Sequence, residues 1–364
     1  MSQVYRNFCF LLVCLPLLFI APPAAAQSTL PPTQSGSAPL PASSTAPSNS
    51  GRLTIDVSVI DAKGAPVPGL TQSDFTLLDD RKPVPIASFQ AFGGAQSPAR
   101  PDEVAVVLDA VNLEFRYVGY ARQQLDKFFR ANEGRLSQPM SLFVTSDRGV
   151  TGLPQPTANG VAIADALDSA QIGLRFVGRS AGLYGADERF EMSLRMFMQI
   201  AQTLAQQPGR KLIVWIGPGW PLLNFVGLNA PSPQTAQQYF DAIVRISTVM
   251  RQNHITLDSI SAGFPNALTF EYESFLKGVK SPDQANAGNL GEKVIAVESG
   301  GIVFAPEFDL PGDLQRCIDD ASIFYRISFV PPPADKPDQY HSLEVRPARR
   351  GLKVLASTGY YGQP

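Results

Sequence analysis

Asp109 closes an unbroken apolar run at residues 104–108, and Asn112 and Glu114 add further oxygens within the next five positions. Hard oxygen donors gathered where a strand ends are what a divalent cation such as magnesium or calcium requires. The same carboxylate can instead cap the segment after it by accepting backbone N–H groups. A second pattern, Gly178-Arg179-Ser180-Ala181-Gly182, fits G-x-S-x-G, the tight turn that exposes a serine nucleophile in α/β-hydrolases. That turn needs a strand before it and a helix at once after it. Here Gly182 and Gly185 delay any helix to about residue 187, and only His254 or His341 could serve as base. Gly217-Pro218-Gly219 places Leu222 where a dinucleotide fingerprint needs its third glycine, so no such cofactor is expected. Trp220 follows directly, and it can anchor a partner if it protrudes or cover the sheet edge if it folds back. Glu271-Tyr272-Glu273 and Asp319-Asp320 read as solvated faces, with nothing beside them to raise a carboxyl pKa for acid catalysis.

Composition narrows these readings. The 364 residues hold 30 Lys plus Arg against 32 Asp plus Glu, a net charge of −2, which lacks the cationic excess that nucleic acid demands. Two histidines and three cysteines exclude a His-rich zinc site, a Cys-paired structural metal and a disulfide scaffold. At the amino terminus, Arg6 precedes an apolar run at residues 8–20 and then Ala24-Ala25-Ala26, the pattern of a secretory signal over residues 1–26. About 13 apolar residues fall short of the roughly 20 that span a bilayer, so the mature chain is expected to carry no membrane span. Cys14 follows Val13 rather than a small residue, and lipidation is not expected. Cleavage removes Cys9 and Cys14 and leaves Cys317, so no intramolecular disulfide is expected and the remaining thiol reads as a small buried hydrophobe. The protein is expected to be exported, to the periplasm or beyond.

The elements that must position Asp109 are read from periodicity. Residues 27–50 are mostly Ser, Thr, Pro, Ala and Gly without charge or aromatics, a tether that cannot offset its own ordering entropy. Leu53, Ile55, Val57 and Val59 alternate with less apolar neighbours, and short Pro- and Gly-punctuated strands continue to residue 92, a sandwich-like β module over 51–92. After a linker, residues 103–322 alternate strands at 104–108, 140–144, 211–216, 255–260 and 302–304 with helices at 117–129, 158–167, 188–206, 235–252, 291–299 and 313–322. That order predicts an α/β, mostly parallel sheet with helices on both faces. Residues 323–364 return to β, with a hairpin expected between 340–347 and 352–361. Strands so few are marginal alone, and they are expected to pack with 51–92.

The run Val57-Ser58-Val59-Ile60-Asp61-Ala62-Lys63-Gly64, with Asp74-Phe75, then Val107-Leu108-Asp109-Ala110-Val111-Asn112, Pro208-Gly209-Arg210-Lys211, Glu298-Ser299-Gly300-Gly301 and Gly359-Tyr360-Tyr361, resembles the von Willebrand factor A-related proteins of the acidobacterial type. The resemblance covers residues 52–361 and implies a Rossmann-like sheet that presents its ligand at the carboxyl ends of the strands. In metal-binding members of that superfamily the first strand ends in D-x-S-x-S, and later loops add a Thr and an Asp. Asp109 matches the first position, but Val111 and Leu113 replace the serines, and Gly217-Pro218-Gly219-Trp220 stands where a later acidic ligand is expected. The resemblance therefore implies a degenerate adhesion site that holds no metal. The expectation is a non-enzymatic, exported interaction protein that needs no cofactor. It binds another protein or a surface polymer through Asp109, Asn112, Glu114, Gly217 and Trp220. A metal-dependent adhesin built on Asp109 and a serine hydrolase built on Ser180 are the alternatives.

Overall fold

The computed structural model describes residues 51–93, 103–170, 183–221, 231–262, 272–305 and 309–364. The signal and tether segments, most of the linker after residue 93, and the Ser180 pattern lie outside the described residues. Residues 49–364 form one unit by their contacts.

The chain begins with strands β1 (Leu53–Ile60), β2 (Phe75–Asp79), β3 (Lys82–Val84) and β4 (Ser88–Phe92). It then enters an α/β region: β5 (Glu103–Asp109), α1 (Phe115–Arg130), β6 (Arg135–Ser146), β7 (Gly149–Asn159), α2 (Gly160–Ser169), α3 (Leu183–Leu204) and β8 (Lys211–Gly217). There follow α4 (Pro233–Gln252), β9 (Ile255–Ser261), α5 (Glu292–Glu298) and α6 (Leu310–Ser322). The end is again β: β10 (Phe324–Phe329), β11 (Gln339–Pro347), β12 (Lys353–Ala356) and β13 (Gly359–Gly362).

The central sheet runs β7-β6-β5-β8-β9, parallel except for β7, which pairs antiparallel to β6. Every residue of β5 and β8 is buried, as expected of strands covered on both faces. Val104, Val106 and Leu108 face α1, α2 and α6, while Ala105 and Val107 face α3, α4 and α5. Local chemistry starts the helices. Ser232 accepts from the Thr235 N–H ahead of α4, and Asn159 from the Ala162 N–H ahead of α2. Asp309 does the same for Gly312 ahead of α6. Among the described residues no helix is long and apolar enough to cross a membrane, and Cys317 is a free, buried thiol.

The two ends of the chain meet in a pair of antiparallel four-stranded sheets, β12-β1-β10-β4 and β13-β11-β2-β3. Leu53, Ile55, Val57 and Val59 of β1 pack on Leu77, Tyr325, Ile327, Phe329, Leu343, Val345 and Tyr360. The predicted hairpin between 340–347 and 352–361 forms only in part: Tyr340–Ser342 pair antiparallel with Gly359–Tyr361, while Lys353–Ala356 leave it for β1. β12 pairs with β1 in one sheet and β13 with β11 in the other, so the chain crosses between sheets and covers a flank of β1 that would otherwise be left open. The strand expected at 302–304 is reduced to a single bridge from Val303 to Ser259. Gly300 and Gly301 set its approach: a Cβ on Gly301 would lie 1.9 Å from the Leu257 carbonyl, and Gly300, at φ +85°, passes against the backbone of Ala356.

Candidate functional site at the carboxyl ends of the strands

Asp109 ends β5 fully buried, and its side chain turns back into the protein. Its Oδ1 accepts the backbone N–H groups of Val111 at 3.0 Å and Asn112 at 3.1 Å, with the Thr145 hydroxyl at 3.4 Å. Its Oδ2 accepts from Asn112 Nδ2 at 2.8 Å and from the Trp215 indole at 3.1 Å. The first pair is the local turn by which an Asp caps the residues after it. The others depend on the sheet. Thr145 lies opposite Asp109 across β5 and β6, and Trp215 reaches over from β8. Asn112 spends its second amide hydrogen on Ser193 of α3, at 2.9 Å. Burial raises the Asp109 pKa, and the Asn112, Trp215 and backbone hydrogen bonds pull against that rise.

Gly217 ends β8 beside this carboxylate, where a Cβ would stand 2.9 Å from the Cβ of Asp109. Only glycine admits the contact. Asp109, Asn112 and Gly217 are therefore brought together, while Trp220 and Glu114 are placed elsewhere. Trp220 is 1% exposed and packs edge-on against Trp215 and Phe197, at centroid distances of 5.2 and 5.7 Å. The protruding anchor is thus corrected to an indole folded back on the sheet, because burying its ring against two aromatics outweighs leaving it in water. Glu114 is exposed at the start of α1, paired with Arg116 at 3.0 Å. Next to it Phe115 is 63% exposed.

Leu113, at a position where the resemblance calls for a serine, is buried in the apolar core, and Val111 offers only its backbone N–H to Asp109. With five donors on its two oxygens and no exposure, Asp109 has no free lone pair directed at solvent. Coordination would require dismantling this network.

Sequence reasoning missed Thr145, Ser193, Trp215 and Glu292. Trp215 carried a usable signal, since a buried indole N–H needs an acceptor. Glu292, at the start of α5, is 1% exposed. Burial pushes its pKa up to about 7 against the pull of Lys293 and Ser259, and the Asp109 charge adds to the rise. Asp320 is a correction as well: it lies on the buried face of α6, not in solvent. Burial and the charge of Asp258 push it up to about 7, and Asp258 is itself raised to about 6 by burial. Cys317 lies against Asp258, and burial drives its thiol well above the ordinary range, which suits packing rather than nucleophilic attack. Each histidine sits on aspartate: His254 Nδ1 lies 3.0 Å from Asp56, and His341 Nδ1 lies 3.2 Å from both Asp79 and Asp80.

No family model matches the chain, and no curated protein does. Among solved structures, the human COPII-coat protein Sec24c aligns at 9% identity and a TM-score of 0.34 over 72% of this chain. This chain spans 44% of the length of Sec24c. The TFIIH p34 N-terminal domain aligns at 12% identity and a TM-score of 0.32, over 60% of this chain and 96% of its own.

Proposed function

We propose that the protein is an exported, non-enzymatic interaction module of von Willebrand A type with a degenerate metal site, which binds another protein or a surface polymer through the rim at the carboxyl ends of its parallel strands. One observation carries this reading: both oxygens of Asp109 are engaged from within, by Val111, Asn112, Thr145 and Trp215. A carboxylate so engaged holds the loop after β5 in shape and does not offer itself to a bridging cation. Contact then falls to the exposed side chains that the loop presents, Glu114, Phe115 and Arg116 at the start of α1. An exposed aromatic beside a loose ion pair suits binding by apolar burial with a polar rim.

Crosslinking and capture from the native cell envelope tests the proposal, with wild type and Phe115→Ala compared. Loss of captured material in Phe115→Ala is the expected result. Heat from magnesium, calcium or manganese titration that disappears in Asp109→Ala would replace this reading with metal-dependent adhesion. Fluorophosphonate labelling that disappears in Ser180→Ala would replace it with a hydrolase.

A further inference from the structure

The geometry points to a zinc-type cation site in the β-sandwich, formed by His341 Nδ1 and the carboxylates of Asp79 and Asp80. The three residues come from adjacent pieces of one sheet: Asp79 ends β2, Asp80 opens the turn into β3, and His341 lies on β11, which pairs with β2. Their ligand atoms all fall within 4.8 Å of one another, and Nδ1 is 3.2 Å from each carboxylate. Ligands held at about 2.0–2.1 Å around a tetrahedral zinc stand roughly 3.3 Å apart, a spacing that both Nδ1–carboxylate distances already match, and the two carboxylate oxygens lie within 4.8 Å of each other.

The outer carboxylate oxygens are already secured in the way that those of metal ligands are, while His341 Nε2 is buried without a partner. The Tyr360 hydroxyl donates to Asp79 Oδ2 at 2.7 Å, and the Ser342 backbone N–H and hydroxyl donate to Asp80 Oδ1 at 3.0 and 3.1 Å. Each carboxylate thus has one oxygen held from behind and the other turned towards Nδ1, an arrangement that fixes ligand orientation. The His341 ring is stacked on Tyr360, with centroids 5.0 Å apart and an interplanar angle of 12°. Charge favours a dication too. A neutral imidazole can donate its Nδ1–H fully to only one of the two carboxylates, and among the described residues neither Asp79 nor Asp80 pairs with Lys or Arg. One imidazole with two carboxylates selects first-row transition ions such as zinc over magnesium or calcium. Asp79 and His341 are buried while the Asp80 side chain is half exposed, so the ion enters on that side and keeps a position for water.

Equilibrium dialysis of the full chain against zinc, after chelator treatment, tests the site, and cobalt serves as a visible reporter of four-coordination. The expected result is one zinc per chain, with affinity lowered at least about tenfold in Asp80→Asn and about tenfold in Ser342→Ala, the loss typical of removing an orienting group. Asp80→Asn is exposed enough to keep the fold, and circular dichroism verifies that it does. Absence of stoichiometric zinc in the wild type would overturn the site. So would wild-type affinity in folded Asp80→Asn, or zinc lost in Asp109→Asn but kept in Asp80→Asn.

Discussion

The sandwich and the parallel sheet both bury carboxylates, but they surround them differently. On β1, Asp56 meets the Arg326 guanidinium at 2.7 and 3.1 Å and His254 at 3.0 Å. Burial there works to raise its pKa, yet the hydrogen bonds and charges of His254 and Arg326 prevail and hold it at about 2. On the helical side, Glu292, Glu298, Asp258 and Asp320 lack a comparable fork, and burial pushes them up to about 7, 8, 6 and 7. Of these five carboxylates, the one with a cationic fork folded against it keeps its charge down to low pH, while burial makes the other four hold a proton to higher pH.

The largest test of this contrast is Arg326→Ala. It strands the Asp56 charge in a buried site, and urea denaturation should show a loss of about 3–5 kcal/mol. A loss under 1 kcal/mol would mean that His254 alone compensates Asp56.

The next largest effect is the pH dependence of stability. The raised groups have ordinary values of 3.8 and 4.5, so the stability they confer as neutral acids is complete below about pH 4. It falls as pH rises through 6 to 8. Asp56 runs the other way: its contribution is complete above 3.8 and is lost as pH falls towards 2. At about 1.4 kcal/mol per pKa unit, Glu292 alone should lower the unfolding free energy by about 2–3 kcal/mol between pH 5 and pH 8, and the other raised groups add to that drop. Glu298→Gln should flatten part of that slope, whereas an unchanged slope would remove Glu298 from the set.

Asp109→Asn probes the network at the strand ends. An amide in place of Oδ2 would face two donors, Asn112 Nδ2 and the Trp215 indole, at an expected cost of about 1–3 kcal/mol in thermal or chemical unfolding. A neutral outcome would mean that the site tolerates a donor there and is less closed than its hydrogen bonds describe. The smallest change in stability belongs to Phe115→Ala, within about 0.5 kcal/mol because the ring is exposed. The same variant should lose partner capture, which separates the rim from the closed interior behind it.

Much of the sheet was legible in advance. The runs at 104–108, 211–216 and 255–260 are continuous and apolar because strands covered on both faces have no solvent side to mark. β7 was not legible. Its sequence, GVTGLPQPTAN, has no alternation, and none of its residues is buried, so its backbone pairing with β6 is what makes it a strand. Of the candidate site, Asp109, Asn112 and Gly217 could be placed together because they follow successive strands of a parallel sheet. The direction of Trp220 and the burial of Asp320 could not, since both depend on which aromatic or helix covers them. Composition excluded a His-rich metal site, but it could not address one histidine set between two aspartates from a strand some 260 positions away.

By itself, then, the sequence determined the buried strands and most of the helices between them, the apolar faces that bury them, and that Val111 and Leu113 stand beside Asp109. Those are properties of local spacing and side-chain type. Only the tertiary structure decided that Asp109 turns inward, that β12 and β13 part company between two sheets, and that His341 meets Asp79 and Asp80. Each of those depends on residues far apart in the chain, and periodicity carries no record of which distant strand will supply the hydrogen bond or the charge.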